Sequence, residues 1–286
     1  MNTRTFGAMN TDWWIGTPAG LDLAPFEEMV HAAERRYSRF RSDSLLSRLN
    51  RERCVQDADL ADLVTRALEV GVATQGAFDP RIGAALSAAG YDRTFEVLRD
   101  RADGPQLAFA PPADALRIEV ERGIVRISGT GTLDLGGIAK GWTVDRVAEQ
   151  LEAAGCTDYL VDGGGDIRVA GRDDRGEPWV VGAGDGLAVS LEAGAVCTSS
   201  TSRRRWRAAG EDAHHIIDPA RGGPSRHAVT DAVVVARDAA TADALATALI
   251  AQPEAALAGL AASGAEALLR REGQWEMTEG MRRWLV

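Results

Sequence analysis

The chain is short of lysine, of cysteine and of long apolar runs. Only one of its 32 basic residues is a lysine, Lys140, and the others are arginines. No stretch of about 18 apolar residues is present, so no membrane span is predicted. The three cysteines are an odd number without the spacing of a metal site, which favours isolated buried side chains in a reducing compartment.

Basic charge is also lacking, because the net charge is −10. A nucleic acid or an anionic membrane surface requires a basic footprint, so neither is predicted as a partner. An anionic ligand would instead need a local site of backbone N–H groups, a metal or a few cations. The segment from Met1 to Ile15 lacks the basic-then-apolar pattern of a secretion signal, so a cytoplasmic location is expected.

The chain is long enough and apolar enough, at 286 residues and 45% apolar, for one large domain or two close-packed lobes. Several strand-like segments follow one another without an intervening helix, which favours an α+β fold. We predict a single domain over residues 1–286, with the proline-bearing segment 101–114, the only candidate boundary, as an internal loop. Apolar periodicity predicts helices at residues 24–37, 58–74, 142–154 and 240–250.

Three other segments carry local predictions. Residues 5–16, with their aromatic side chains, are predicted to form one strand, and the end of the chain at 282–286 another. The serine-bearing segment from Ser38 to Asn50 is predicted to be a polar loop.

A glycine-rich segment that contains the only lysine precedes a predicted helix: Asp134-Leu-Gly-Gly-Ile-Ala-Lys140-Gly141. Glycines let the backbone approach a ligand closely, and a helix N-terminus presents free N–H groups to phosphate. Lys140 places a full charge where the helix dipole disfavours a cation, and an anion would relieve that repulsion. The spacing is that of neither a Walker loop nor a Rossmann fingerprint, so a phosphate site and a structural turn both remain open.

Asp243 and Thr247 lie four residues apart on a predicted helix and therefore share one face. A carboxylate and a hydroxyl are hard oxygen donors suited to Mg²⁺, which takes its remaining ligands from phosphate and water. The alternative is structural: Asp243 would favour the helix N-terminus, and Thr247 would bond back to the preceding turn.

Two more motifs could bear chemistry. The three glycines in Asp162-Gly-Gly-Gly-Asp166 would let the backbone pass close to a flat ring or a phosphate, or make a wide turn between strands. The motif His214-His215-Ile-Ile-Asp218-Pro219 holds half of the four histidines. A histidine can serve as a general base near neutral pH, although a turn with incidental histidines is an equal alternative.

Taken in order, these motifs and several weaker ones resemble the ApbE family, the FAD:protein FMN transferases. The resemblance runs from about residue 6 to residue 250. Its blocks are Met9-x-Thr11, the Ser38…Ser44…Asn50 segment, Gly76-Ala-Phe-Asp-Pro80, Asp134 to Gly141, Gly164-Gly-Asp-Ile167, Thr198-Ser199, His215-Ile-Ile-Asp-Pro219 and Ala242-Asp-Ala-Leu-Ala-Thr247.

The resemblance implies that FAD lies in a cleft between two lobes of an α+β fold. It implies Mg²⁺ held by Asp243, Thr247 and the backbone carbonyl of Gly137. His215 matches the histidine proposed to assist the transfer, and the further catalytic candidates are Lys140, Asp79 and Asp218. The positions that match FAD contacts are Met9, Phe40, Ala77, Phe78, Asp79, Asp134, Lys140 and Ile216.

The implied reaction is attack by a threonine or serine hydroxyl of an acceptor protein on the FAD pyrophosphate, which leaves an FMN phosphoester on the acceptor and releases AMP. One alternative is an FAD pyrophosphatase, in which water replaces the hydroxyl. Another is a non-catalytic flavin-binding protein, which the Asp243–Thr247 pair argues against because a pure binder needs no metal. Two residues depart from the family pattern: Asn10 replaces the usual glycine after Met9, and Arg81 stands where threonine is common.

Overall fold

The computed structural model describes residues 1–99, 113–208 and 211–286, and it shows a mixed α+β architecture. The predicted helices at 24–37, 58–74, 142–154 and 240–250 are confirmed, with small shifts at their ends. The α-helices are α1 (Ala24–Tyr37), α2 (Leu45–Glu52), α3 (Ala58–Ala73), α4 (Gly83–Ala88), α5 (Phe95–Arg99), α6 (Ala139–Ala153), α7 (Ala239–Ala251) and α8 (Pro253–Ala262).

The strands run consecutively over long stretches of the chain, as an α+β fold requires. They are β1 (Asn2–Ala8), β2 (Thr11–Thr17), β3 (Cys54–Gln56), β4 (Leu116–Glu121), β5 (Ile124–Gly129), β6 (Tyr159–Asp162), β7 (Asp166–Ala170), β8 (Trp179–Gly184), β9 (Leu187–Leu191), β10 (Ala193–Ser200), β11 (Arg205–Ala208), β12 (Glu211–His214), β13 (Ile217–Asp218), β14 (Gly223–Pro224), β15 (Val229–Ala236), β16 (Glu266–Arg271) and β17 (Gln274–Met277).

An antiparallel sheet of eight strands, in the order β1-β2-β6-β7-β10-β15-β16-β17, forms the centre of the molecule. A smaller sheet, β3-β5-β4, lies apart from it, and β8 and β9 form a separate hairpin. Both faces of the central sheet are covered at its middle strands, such as β10 and β15, which therefore alternate between two apolar environments, whereas the edge strands β1 and β17 expose part of their length to solvent.

Helices α6 and α7 cover one face of the central sheet, and the β8–β9 hairpin covers the other. In β10, Ala195 and Cys197 belong to the main core with the helices, whereas Val196 packs with the hairpin. In β15 the same alternation places Val234 on the helix side and Val233 on the hairpin side. The small side chains of α7 let it lie deep between the sheet and its neighbours, with nearly every residue buried.

Three local predictions were wrong. Residues 5–16 form two strands, because Met9 (φ 50°) and Asn10 (φ 62°) make a tight left-handed turn between them. The segment from Ser38 to Asn50 contains the start of α2, which Ser44 caps by accepting a hydrogen bond from the Ser47 N–H at 3.0 Å. The chain end is a 3₁₀ helix, Glu279–Arg283, followed by a single antiparallel bridge of Leu285 to Val189 in β9 instead of a full strand over 282–286.

No helix in the described ranges is both long and apolar enough to cross a membrane. The candidate boundary at 101–114 falls almost wholly outside the described residues, so the single-domain organisation stays a prediction. A cytoplasmic location likewise stays a prediction.

Candidate functional site

The glycine–lysine segment and the Asp243–Thr247 pair, about a hundred residues apart in sequence, meet where α6 begins. The Gly141 N–H donates to Asp243 Oδ2 at 3.1 Å. A β-carbon at Gly141 would lie 2.2 Å from the backbone oxygen of Ala239, the first residue of α7. Only glycine therefore permits this contact between the two helices, and the contact places Asp243 directly beside the first turn of α6.

Lys140 is the centre of a cluster of charges at this junction. Its ammonium group pairs with Asp166 Oδ2 and lies 4.0 Å from Asp243 Oδ2. Asp166 is the first residue of β7 and is 1% exposed. Its second oxygen, Oδ1, is buried and has no hydrogen-bond partner within the described part of the chain. A buried carboxylate oxygen without a partner is costly, and a bound cation or ligand hydroxyl would satisfy it.

Two neighbours from other parts of the chain lie beside Thr247 of α7. The Thr247 hydroxyl lies 3.2 Å from the Ser199 hydroxyl of β10. A β-carbon at Gly137 would lie 3.3 Å from Thr247 Oγ1, so the Gly137 backbone is next to it. The described residues include no cluster of three or more His, Cys, Asp or Glu side chains arranged for a metal. Hydroxyl and backbone oxygens therefore dominate the donor set, which fits Mg²⁺ better than zinc.

The Gly76–Pro80 turn packs against the same point. Phe78 is 5% exposed, and its ring lies 3.2 Å from where a Gly137 β-carbon would be. Its N–H donates to Thr74 Oγ1 at 3.1 Å, which fixes the turn after α3. Ala77 is buried beside it. Of the two predicted contact residues, Phe78 thus lies against the glycine–lysine segment, and Ala77 is buried next to it in the turn.

Asp79 and Asp134 are both buried and both paired with arginine. Asp79 accepts hydrogen bonds from Arg81, at 2.8 Å from Nε and 2.6 Å from Nη2. Asp134 Oδ2 lies 2.8 Å from Arg39 Nε, while its Oδ1 accepts the Gly136 N–H at 2.9 Å. These bonds fix both carboxylates in position, which suits the orientation of a ligand.

Arg39 links Asp134 to an aromatic cluster. Its guanidinium lies 4.2 Å from the Phe40 ring centroid and 4.7 Å from that of Tyr91. The Tyr91 ring in turn meets the His215 ring edge-on, with centroids 6.4 Å apart. Phe40 and His215, predicted from separate motifs, therefore contact the same tyrosine.

His215 is held as a neutral imidazole. Burial lowers its pKa well below the ordinary value, and the positive charges of Arg204 and Lys140 lower it further. Its Nδ1 is buried and lacks a hydrogen-bond partner among the described residues. The unpartnered Nδ1 can accept a hydrogen bond or a proton from a bound group, and the lowered pKa keeps the ring neutral while weakening it as a base.

Asp218 and Ile216 occupy structural positions. Asp218 is 3% exposed, and its Oδ1 accepts from the Ala220 N–H at 3.0 Å and from Gln252 Nε2 at 2.6 Å. These bonds fix the turn that follows β13, so its geometry gives no support to the predicted role as a base. Ile216 is 2% exposed within the main core.

Met9 lies at the β1–β2 turn, where its N–H donates to Glu34 Oε1 at 2.9 Å. Asn10 adopts the left-handed conformation, which asparagine tolerates better than most residues. Thr11 follows, packed against the glycine loop: a β-carbon at Gly164 would lie 1.9 Å from its hydroxyl oxygen. The turn is therefore next to the Asp162–Asp166 motif.

Sequence reasoning did not assign Asp166, Ser199, Arg39 or Asp145 to the site. Asp166 and Ser199 fall in quoted motifs, and Arg39 precedes a predicted contact, but their partners are distant in sequence. Asp145 on α6 lies in none of the sequence motifs, so nothing in the sequence pointed to its role. Its carboxylate accepts the N–H groups of Ala239 at 2.9 Å and Ala240 at 2.8 Å, and it thereby caps α7.

The sequence model described as the ApbE family matches residues 9–269. A curated protein of Vibrio cholerae, named FAD:protein FMN transferase, is 30% identical over 253 residues, which span 80% of this chain and 72% of that protein. A Haemophilus influenzae protein of the same name is 28% identical over 78% of this chain and 70% of its own length. The crystal structure of the ApbE protein from Thermotoga maritima covers 99% of this chain and 98% of its own, with a TM-score of 0.83 and 25% identity.

Proposed function

The chain belongs to the ApbE family, and from this premise we propose that it is an FAD:protein FMN transferase. It cleaves the FAD pyrophosphate and attaches FMN through a phosphoester to a threonine or serine of an acceptor protein. The observation that carries this proposal is the meeting of the glycine–lysine segment with Asp243 and Thr247 at the start of α6.

FAD is proposed to lie with its pyrophosphate at the first turn of α6. Lys140 and the positive end of the α6 dipole supply positive charge there, whereas the N–H groups of Ala139 and Gly141 already donate to Leu135 and Asp243. Phe40, Ala77 and Phe78 supply apolar contacts, and Ile216 backs them from the core. The fixed carboxylates of Asp79 and Asp134 orient polar edges of the ligand, and Met9 contacts it from the β1–β2 turn.

The oxygen donors fit a divalent cation. Asp243, Thr247 and the Gly137 carbonyl would hold Mg²⁺, with Ser199 and the unpartnered Asp166 Oδ1 close by. The ion would neutralise charge on the pyrophosphate oxygens as the bridge breaks.

The protein's own groups then position the transfer. Lys140 stabilises the negative charge that develops on the phosphates. The acceptor hydroxyl attacks the FMN phosphorus opposite the AMP leaving group, so one P–O bond forms as the pyrophosphate P–O bond breaks. His215, neutral because of its lowered pKa, is the proposed base that takes the hydroxyl proton. AMP leaves with the bridging oxygen.

The direct test incubates the purified protein with FAD, Mg²⁺ and candidate acceptors. We expect AMP in solution and flavin fluorescence on the acceptor band of a denaturing gel. Free FMN and AMP with every acceptor would identify a pyrophosphatase instead. FAD binding without AMP would identify a non-catalytic flavin protein.

Replacing Asp243 with asparagine should lower the rate of AMP release by about 100-fold or more, because a metal ligand is lost while side-chain volume is kept. The matched control is Asp212→Asn in the exposed strand β12, which should release AMP at the wild-type rate. Circular dichroism checks that both variants fold. Unchanged turnover in the Asp243 variant would contradict the proposed metal site.

A further inference from the structure

An open strand edge lies beside the candidate site. Among the described strands β8 pairs with β9 alone. The other edge of β9 is covered by the chain end: the Ser190 N–H donates to the Trp284 oxygen at 2.8 Å, and the Val286 N–H to the Ala188 oxygen at 3.1 Å. Natural edge strands are usually blunted by charge or proline. β8, with the sequence WVVGAG, has neither within its length. It follows Pro178, which is bridged to Arg172, and its pairing with β9 is bulged between Gly182 and Gly184. The part of the edge before the bulge can pair with another extended chain.

A cleft of about 770 Å³ runs along this edge. One wall is made by six consecutive residues, Val180 to Asp185. Because consecutive residues of a strand point to opposite faces, a wall that includes all of them follows the edge of the strand and not one face. The facing wall comes from the central sheet and includes Thr198, Ser199, Ala232 and Val233.

The inner end of the cleft opens on the candidate site. Ser199 lines the cleft, and its hydroxyl is 3.2 Å from that of Thr247. Asp162 and Gly165 line the same end. Burial raises the pKa of Asp162, and the nearby charge of Lys140 is among the influences that oppose the rise. Thr247 belongs to a helix on the other face of the central sheet, so a chain lying in the cleft would reach the metal pair over the end of β10, where Ser199 lies.

We propose that this cleft binds the acceptor protein as an extended segment that pairs with β8 and carries its threonine or serine hydroxyl past Ser199 to Thr247. The inference rests on the proposed function, since only transfer to a protein requires a second, macromolecular substrate. Val180, 61% exposed on β8, offers an apolar contact, and the exposed Arg203 at the inner end offers a charge. Backbone pairing supplies affinity, and these side chains supply selectivity.

The test separates acceptor binding from FAD chemistry. Short synthetic peptides, each with a single threonine or serine in varied surroundings, are the acceptor probes, with FAD and Mg²⁺. Flavin bound to peptide and AMP released without peptide are measured separately. Val180→Asp should lower transfer about 10-fold or more at limiting peptide, because a desolvated charge then faces the incoming strand. The affinity for FAD without peptide, and any AMP that the wild type releases without peptide, should stay unchanged.

Val72→Asp is the matched control, since Val72 is 82% exposed on α3 and does not line the cleft. It should transfer flavin as the wild type does. Val180→Lys should lower transfer as Val180→Asp does. Equal losses would show that the variants disturb strand pairing, because an effect of charge on the peptide would depend on its sign. Amide hydrogen exchange should also slow at residues 179–184 when a good peptide binds.

The other outcomes overturn the inference. Wild-type transfer by both Val180 variants would place the acceptor elsewhere. A raised KM for FAD in those variants would assign the cleft to FAD. Dimerisation of the wild type that both variants abolish would assign the β8 edge to a second copy of this chain, and AMP release with no peptide ever labelled would exclude an extended acceptor. Absence of AMP in every reaction contradicts the proposed function itself.

Discussion

At the scale of single residues, Lys140 shows what sequence alone could and could not foretell. Its place before a helix and the scarcity of lysine elsewhere predicted a role with an anion. Its position between Asp166 and Asp243 could not be foreseen, because that depends on the meeting of β7 and α7 with α6. The two carboxylates surround a compact ammonium group, and a planar guanidinium would place its charge farther out.

Lys140→Arg should therefore lower the rate of AMP release by about 100-fold, although the charge is conserved. The larger group has no room between two buried aspartates and cannot hold the phosphate at the same point. The measurement is AMP formation under saturating FAD and Mg²⁺. Arg146→Lys, on the exposed side of the same helix, is the control and should change nothing. If Lys140→Arg forms AMP at the wild-type rate, the reaction needs only a positive charge at position 140 and not the compact ammonium group.

His215 makes a prediction about pH. Its pKa in the folded protein lies well below the value of about 6.5 expected in the unfolded chain. As pH falls, the unfolded chain takes up the proton first, so the free energy of unfolding falls with pH below about 6.5 and is unaffected above it. His215→Asn should show a smaller fall than the wild type in urea titrations between about pH 7 and pH 5. Parallel profiles would mean that His215 is not held neutral by the fold.

At the scale of elements, the site depends on how α7 is fixed to α6. Both helices were placed correctly from the sequence, α6 by its apolar periodicity and α7 by its alanine-rich composition. The cap that joins them could not be predicted, since Asp145 lies inside a helix and its partners are backbone groups of another helix. The Asp145 carboxylate also pairs with Arg168 of β7 at 2.8 Å. One buried side chain thus holds together the three elements that carry Lys140, Asp166 and Asp243.

Asp145→Ala should lower the free energy of unfolding by about 3 kcal/mol, because two backbone N–H groups and a largely buried arginine lose their partner. Urea denaturation followed by circular dichroism measures it. Glu149→Ala, on the same helix but 40% exposed, should change stability by no more than about 0.5 kcal/mol. Equal effects of the two substitutions would contradict the capping role.

The hairpin at the start of the chain shows a different limit. The sequence from residue 5 to 16 has the composition of a strand throughout, and the turn at Met9 and Asn10 lacks the usual Asn-Gly pair. The missed helix α2 has a similar cause, because its charged and polar residues hide the buried pair Leu46 and Leu49. The conformation of such short segments depends on the residues they pack against. Those residues are distant in the sequence, so the local pattern does not reveal the conformation.

At the scale of the whole molecule, order along the chain proved more informative than any single motif. Each motif alone left a structural alternative open, and eight of them in sequence predicted the family and the α+β fold. The order of the motifs did not predict which elements cover the two faces of the central sheet. The β8–β9 hairpin has no motif of its own, yet it forms the outer wall of the cleft beside the site.

The proposed transferase activity depends on one divalent ion that binds, together with FAD, between α7 and the start of α6. The most direct measurement titrates Mn²⁺, in place of Mg²⁺, into the protein with FAD and follows free Mn²⁺ by electron paramagnetic resonance. We predict that FAD tightens Mn²⁺ binding in the wild type, and that Asp243→Asn and Thr247→Val each abolish that tightening while FAD still binds. If FAD does not change the affinity for Mn²⁺, or if both variants bind Mn²⁺ as the wild type does, the proposed metal site is contradicted.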